Sequence, residues 1–173
     1  MEKIQAHLQG ELIFSNTPEA HEMNNKSFFG EKKQDRIQYT IAEAIFLIEK
    51  DKMDLLNSRG GKIPKKDIMN KMRKIDSKIQ IKYLVYKDLR ERGYIVKTAL
   101  KFGADFRVYD KGQKPGEEHA KWIVFCEHET AKFSWHEFSS KNRVAHSTKK
   151  NLLLAIVDEE TDITYFEVSW IKP

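Results

Sequence analysis

The stretch FRVYDKGQKPGEEHAKWIVF, residues 106–125, contains two runs of alternating apolar and polar residues around a long polar loop. Alternation with a period of two is typical of strands, so the two runs predict a strand pair. If the apolar residues of the first run face the core, Arg107 and Tyr109 point outward. A two-residue turn would suffice to join the strands, and longer loops are usually functional or disordered. Tyr109 and His119 stand at the two ends of this loop.

The residues around this stretch predict a mixed sheet with a helix packed on it. Ser134 and Glu137 have capping-box spacing and begin a helix between the third and fourth of five β-rich segments. The segments are rich in β-branched and aromatic residues. They are YIVKTAL (94–100), ADFRVYD (104–110), AKWIVFCE (120–127), NLLLAIVDEE (151–160) and DITYFEVSWIK (162–172).

The first half of the chain predicts a smaller unit. Its first 15 residues suggest a hairpin around Gly10, and Thr40 with Glu43 forms a second capping box before an apolar stripe. Further helices are expected at about 65–75 and 78–92, with a loop at 24–35. The sequence therefore predicts an α+β fold, with a helical and β N-terminal domain over residues 1–78 and a mixed-sheet domain over residues 79–173.

Composition narrows the class of protein only in part. The net charge of +5 comes from 31 Lys and Arg against 26 Asp and Glu. This mild excess is compatible with nucleic-acid binding but is weak evidence alone, and a solvated surface is its default explanation. The N-terminus lacks a signal-peptide pattern, and the longest apolar run, Leu152–Val157, is too short to span a bilayer, so we expect a cytoplasmic protein. The single cysteine, Cys126, excludes an intramolecular disulfide and predicts a buried apolar side chain.

Three residue types in the second half could carry chemistry together. Tyr109 and His119 border the loop, and Lys149 and Lys150 stand where the last helix leads into a strand. Each has an ordinary structural explanation: a packed tyrosine, a surface histidine, and lysines at the negative end of a helix. As a set, they provide a general base, a general acid and a positive charge, which suffice for phosphoryl transfer without a metal ion.

The order of motifs resembles a known family. The runs YLVYKDLRERGY (83–94), KFGADFRVY (101–109) and RVAHSTKK (143–150), with the histidine after the Gly/Pro loop, resemble the catalytic domain of the archaeal tRNA-splicing endonuclease. The similarity extends from about Tyr83 to Trp170. In the first half, FFGEKKQDRIQYTIAEAIFLIEK (28–50) is similar to a segment of the same family.

The resemblance implies a set of site residues. The family's catalytic tyrosine, histidine and lysine fall on Tyr109, His119 and Lys150, with Lys149 as the second choice for the lysine. Its base-stacking arginine falls on Arg143, and we expect Lys101 and Arg107 to bind RNA as well. The resemblance implies no metal ion and no cofactor, and it gives no position for the family's second base-clamping residue.

The resemblance also implies a reaction and an assembly. The reaction is excision of introns from precursor tRNA at bulge-helix-bulge motifs, leaving a 2′,3′-cyclic phosphate and a 5′-hydroxyl. The family's acidic intersubunit loop falls on Asp158, Glu159, Glu160 and Asp162, so we expect a homotetramer, with a heterotetramer containing a structural subunit as the alternative. Two other functions stay open at this point: a non-catalytic subunit of the same assembly, and a basic RNA-binding module without catalysis.

Overall fold

The computed structural model describes residues 2–173, which form two compact units, one up to Gln80 and one over Ile81–Pro173. Five helices and two five-stranded mixed sheets make up the chain. The helices are α1 (Pro18–Ser27), α2 (Ile41–Glu49), α3 (Lys65–Ile75), α4 (Ile79–Glu91) and α5 (Trp135–Ser147). The strands are β1 (Ile4–Gln9), β2 (Leu12–Ser15), β3 (Glu31–Lys33), β4 (Arg36–Tyr39), β5 (Met53–Leu56), β6 (Ile95–Thr98), β7 (Phe106–Tyr109), β8 (Trp122–His128), β9 (Asn151–Val157) and β10 (Ile163–Val168).

The first unit is a sheet of order β3-β4-β2-β1-β5 with its own buried core. Helix α2 is buried along most of its length, including the charged side chain of Glu43 in its first turn. The hydrogen bonds of Glu43 show how this charge is accommodated. One Glu43 oxygen accepts from the Thr40 backbone N–H at 2.9 Å, and the other accepts from the Gly30 N–H at 2.8 Å. Glu43 is only 3% exposed, and both of its carboxylate oxygens accept hydrogen bonds, as is usual for buried polar groups.

The second unit is a sheet of order β10-β9-β8-β7-β6 in which β8 and β9 are the parallel pair. Helix α5 is the crossover that joins them, as a parallel connection requires. It begins at the capping box of Ser134 and Glu137, and its buried Ala145 belongs to a cluster with Ile123 and Leu152 on the sheet.

Both faces of the second sheet are covered. The ring of Tyr86 in α4 lies 5.8 Å from the ring of Phe106, so α4 covers the face that carries Phe106. Helix α5 covers the opposite face, through the cluster that contains Ile123 and Leu152. The exposed edge of the sheet is β10, where Phe166 is 54% exposed.

The structure confirms the α+β fold, both capping boxes and the hairpin around Gly10. The loop predicted at 24–35 is wrong in part, because α1 continues to Ser27 and β3 occupies Glu31–Lys33. Helix α1 buries only Ala20 and Met23, so it gives almost no periodic apolar signal. Cys126 is buried, and burial raises the pKa of its thiol well above the ordinary value. None of the helices found within residues 2–173 has the length and apolar character that crossing a membrane requires.

Candidate active site

Three strands bring the predicted catalytic residues to one end of the second sheet. Strand β7 is antiparallel to β8 and β9 is parallel to β8, so the end of β7 meets the beginnings of β8 and β9. The Lys121 N–H donates to the Val108 carbonyl at 2.9 Å, and the Asn151 N–H donates to the Lys121 carbonyl at 3.0 Å. Tyr109, Lys121 and Lys150 therefore form one row across the sheet, with the backbones of β7 and β9 separated by two strand spacings, about 10 Å.

A carboxylate fixes the register at this end. Glu167 of β10 accepts from the Trp122 indole N–H at 2.7 Å and from the Asn151 side-chain amide at 2.9 Å. Trp122 and Asn151 are register partners and directly follow Lys121 and Lys150. A one-residue slip of β9 would move Lys150 to the other face, so this double contact supports its position.

The loop between β7 and β8 is closed at its base and folded by turns. The Lys121 ammonium pairs with Asp110 at 3.0 Å, and this hydrogen bond, followed by that from the Lys111 N–H, holds the pKa of the Asp110 carboxyl below its ordinary value. Gly112 and Gly116 have φ values of 86° and 94°, a region that non-glycine residues rarely adopt. The loop is thus a built structure that ends at the row of catalytic candidates.

His119 lies in this loop, two residues before Lys121, and is exposed. Strand β8 begins at Trp122, later than the sequence predicted, so His119 precedes the strand and its ring is outside the sheet. Its ring has no hydrogen-bonding partner within residues 2–173, and the adjacent Glu117 and Glu118 form no ion pair with it. Both ring nitrogens are therefore available to a substrate.

Tyr109 differs from the expectation that it points into solvent. Arg107 and Tyr109 do lie on the face opposite to Phe106, but helix α5 covers that face, and Tyr109 is 4% exposed. The alternation was interpreted correctly, and the error lay in assuming that only one face is buried. The hydroxyl of Tyr109 makes no hydrogen bond to residues 2–173. The ring is therefore fixed by packing, and its hydroxyl is available to a substrate.

Lys150 is a partly buried cation beside a second cation. Its Nζ donates to the Thr148 carbonyl at 2.7 Å and lies 5.8 Å from the centre of the Phe102 ring. Burial, and then the positive charge of Arg107, lower the pKa of Lys150 below its ordinary value of 10.5. Lys149, the second choice, is exposed and has a φ of 56°, so the turn directs the two lysines differently.

Two further cations surround this position. Lys101 is exposed on the short 3₁₀ turn Leu100–Phe102, whose last residue provides the ring near Lys150. Lys97 of β6 is the register partner of Arg107 and is only 7% exposed. Sequence reasoning did not select Lys97, because its neighbour in the sheet is unknown until the register is known. Lys97 and Lys101 therefore join Arg107 and Lys150 as cations near the end of the sheet that holds Tyr109.

Arg143 lies on the exposed side of α5 and donates to the Ser140 hydroxyl at 2.9 Å. One turn further along the helix, the ring of His146 lies 4.2 Å from the ring of Trp170, which is itself 56% exposed. Sequence reasoning missed Trp170. The available signal was a tryptophan just after the last apolar strand, where no core remains to be filled.

The acidic turn, comprising Asp158, Glu159, Glu160 and Asp162, lies at the opposite end of the sheet. It joins β9 to β10 and is closed by the Asp162 N–H, which donates to the Asp158 side chain at 2.9 Å. None of its carboxylates forms an ion pair within residues 2–173. The length of β9 separates the turn from Lys150 by about 20 Å.

The site provides acid–base groups and positive charge from side chains. A tyrosine hydroxyl, an imidazole and an ammonium group come from three segments that meet at this end of the sheet. In the described part of the chain, no group of three or more His, Cys, Asp and Glu side chains is arranged to hold a metal ion. The arrangement suits a negatively charged substrate that gains charge in its transition state.

Comparison with known proteins identifies the family. The model of the tRNA intron endonuclease catalytic C-terminal domain matches residues 79–165, and that of the N-terminal domain matches residues 4–69. The chain is 39% identical to a tRNA-splicing endonuclease of Thermococcus onnurineus over 172 residues, covering 99% of this chain and 98% of the relative. It is 38% identical to that of Methanothermobacter thermautotrophicus, with 99% of each chain covered. It is 43% identical to that of Nanoarchaeum equitans over 139 residues, covering 77% of this chain and 88% of the relative. The chain belongs to the tRNA intron endonuclease family.

The charge of Arg107 gives a first prediction. Replacing Arg107 by Met should raise the pKa of Lys150, because a neighbouring like charge disfavours the ammonium form. The Lys101→Met control should leave that pKa unchanged, since Lys101 is not among the charges that lower it. The pKa is read from the side-chain carbon shifts of Lys150 in an NMR titration. A Lys150 pKa that is the same in Arg107→Met and in the parent would contradict the proximity of the two cations.

The same pKa has a consequence for stability. Because the pKa of Lys150 is lower in the folded chain than in the unfolded chain, protonation of this side chain opposes folding. Its contribution to the free energy of unfolding is fully favourable above pH 10.5 and is lost as the pH falls through the folded-state pKa. At neutral pH the chain therefore carries this cation at a cost in stability.

Proposed function

We propose that this chain is a metal-independent endoribonuclease, a tRNA-intron lyase, that excises introns from precursor tRNA at bulge-helix-bulge motifs. The observation that carries the proposal is the convergence of Tyr109, His119 and Lys150 at one end of the sheet. The match to both family domains, over nearly the whole chain, supports the substrate class. The relatives are named tRNA-splicing endonucleases, which supports an endonuclease activity for this chain.

In the proposed reaction the substrate provides its own nucleophile. Tyr109, acting as its phenolate, accepts the proton of a ribose 2′-hydroxyl and becomes a neutral phenol, and the 2′-oxygen attacks the adjacent phosphorus. The bond from phosphorus to the 5′-oxygen breaks, and His119 donates a proton to that oxygen. The products are a 2′,3′-cyclic phosphate and a 5′-hydroxyl, so atoms and protons balance without water or an external cofactor.

Positive charge stabilises the transition state. The phosphorane gains negative charge as the 2′-oxygen adds, and the Lys150 ammonium, held by the Thr148 carbonyl, faces that charge. Arg107 adds positive charge nearby. Its repulsion of the Lys150 ammonium group is offset once a phosphate occupies the site. All three chemical roles are thus provided by side chains, and the reaction should proceed without a divalent metal ion.

Recognition of the bulge is assigned to the exposed face of α5. Arg143 presents a planar guanidinium, and Trp170 presents an aromatic ring against His146, one turn away. Unpaired bases in RNA stack on such planar groups, each worth about 1 to 3 kcal/mol. We assign Lys101 to the flanking phosphates.

We further propose that the chain works as a homotetramer in which the acidic turn binds a basic surface of a neighbouring subunit. The turn is exposed, and its charges are not neutralised within the described residues of its own chain. Its distance of about 20 Å from Lys150 leaves the catalytic end free. Two active sites in a fixed pair would match the two bulges of one substrate.

The first test of the proposal is His119→Ala. Loss of the proton donor should reduce the single-turnover cleavage rate by roughly 10² to 10⁴, while RNA binding is retained. The matched control is His128→Ala, because His128 is the last residue of β8, at the far end of that strand from the loop with His119, and contacts Thr130. Reactions contain excess EDTA, with RNA folding checked separately. If His119→Ala cleaves at the parent rate, or if the parent needs one specific metal, the proposal fails.

The second test concerns the assembly. Changing the acidic turn to Asn and Gln keeps the acceptor oxygen of residue 158, so the turn should still form, but the partner's cations lose their counter-ions. Leaving a buried charge unpaired costs roughly 3 to 5 kcal/mol, enough to dissociate the tetramer at micromolar concentration. Light scattering should then show a smaller species, with native circular dichroism.

A control for the second test removes two exposed acids of the other unit, through Glu11→Gln and Asp35→Asn. This variant should keep the parent mass. A turn variant that stays tetrameric at low concentration would show that the turn is only a solvated hairpin.

A further inference from the structure

The positive charge of the chain is concentrated in one segment that the proposed catalysis does not use. Residues 59–78 contain eight Lys and Arg against two Asp, a net charge of +6, whereas the whole chain carries +5. The other 153 residues are therefore net acidic by one charge. This segment lies in the first unit and contains helix α3 with its flanking turns.

Helix α3 directs these charges away from its own core. Ile68 and Met72 are its buried side chains, and Lys66, Arg73 and Lys74 lie on the other side of the helix and are exposed. At 100° per residue, these three positions fall within about 100° of each other. We call these three residues the α3 basic face. It extends over about 12 Å of helix.

The α3 basic face has no neutralising partners. The side chains of Lys66 and Lys74 form no hydrogen bond or ion pair with residues 2–173, and Arg73 donates only to the uncharged Gln80 amide at 2.8 Å. The end of helix α4 shows the ordinary alternative, since Arg92, just after the helix, is paired with Asp88 at 2.7 Å, one turn earlier. The cations of such an unpaired face repel one another, because no nearby carboxylate neutralises them. The face therefore favours an anionic partner.

We propose that the α3 basic face is a second RNA-docking surface, which binds the phosphate backbone of paired RNA without reading its sequence. The inference rests on the proposed function for its choice of RNA as the polyanion. Side chains cannot reach base edges in the deep groove of A-form RNA, so paired regions are recognised through phosphates and shape. Three cations spaced along 12 Å suit several phosphates, and the absence of an aromatic side chain among them agrees with backbone contact rather than base stacking.

The test measures binding of the whole protein to a perfectly paired RNA duplex, which has no bulge and no cleavage site. The variant is Lys66→Gln with Arg73→Gln and Lys74→Gln. Loss of three phosphate contacts should reduce the slope of log K against log salt by about 2 to 3. At a fixed low salt concentration, the dissociation constant should rise at least tenfold.

A matched control removes the same number and kinds of charge elsewhere in the same unit. Lys32, Lys33 and Arg36 are exposed on the β3–β4 hairpin, so Lys32→Gln with Lys33→Gln and Arg36→Gln changes the net charge equally. This control should keep the parent slope. If both triple variants lose the same slope, overall charge governs binding and the α3 basic face has no special role. An unchanged slope in the α3 variant overturns the proposal outright.

Two further readouts separate this proposal from others. The α3 variant should cleave bulged RNA normally at saturation, whereas His119→Ala should keep the parent salt slope and lose cleavage. Failure of the parent to cleave would refute the proposed function and leave the duplex-binding result to decide the docking surface. If the α3 variant instead runs as a smaller species in light scattering, the face binds the acidic turn of another subunit, and the RNA proposal is wrong.

Discussion

The site depends on the register of three strands. Strand β8 is paired to β7 in the antiparallel sense and to β9 in the parallel sense, and this combination gathers one strand end and two strand beginnings. Tyr109, the loop with His119, and Lys150 meet there for that reason alone. Glu167 holds the critical pair by binding Trp122 and Asn151 together. A parallel pair requires a crossover, so helix α5 is a consequence of the same arrangement, and it brings Arg143 with it.

The chain places positive charge where folding disfavours it. Lys150 is partly buried beside Arg107, and both effects lower its pKa. Neither effect benefits the folded state at neutral pH, so the arrangement is unfavourable until an anion arrives. In the proposed reaction, a phosphate that gains negative charge in the transition state offsets both costs by attracting the Lys150 ammonium group. The folded chain loses stability by holding these two cations together. In return, positive charge is already in place for the negatively charged transition state of the proposed reaction.

Local signals in the sequence predicted most of the fold. The capping boxes at Thr40 and Ser134 began α2 and α5, because a helix start is specified by residues three apart. Helix α1 was missed because it buries only two side chains, so its position depends on the sheet that it covers. The strand ends around the long loop were visible as the points where alternation stops.

Long-range packing accounts for what the sequence could not predict. Alternation separated Tyr109 from Phe106 correctly, but whether its face is wet or covered depends on where α5 packs. Lys97 beside Arg107, and Trp170 against His146, are contacts between residues distant in sequence. The resemblance to the family selected candidate residues, and the register explains why they converge.

The central claim is that the substrate's own 2′-hydroxyl attacks the phosphorus at the end of the sheet. The most direct measurement uses a two-bulge RNA with a single 2′-deoxy nucleotide immediately 5′ to one scissile phosphate. We expect the protein to leave that bond intact and to cut the other bulge, releasing a 2′,3′-cyclic phosphate and a 5′-hydroxyl. Cleavage at the deoxy position at a normal rate would show that water is the nucleophile and would contradict the account.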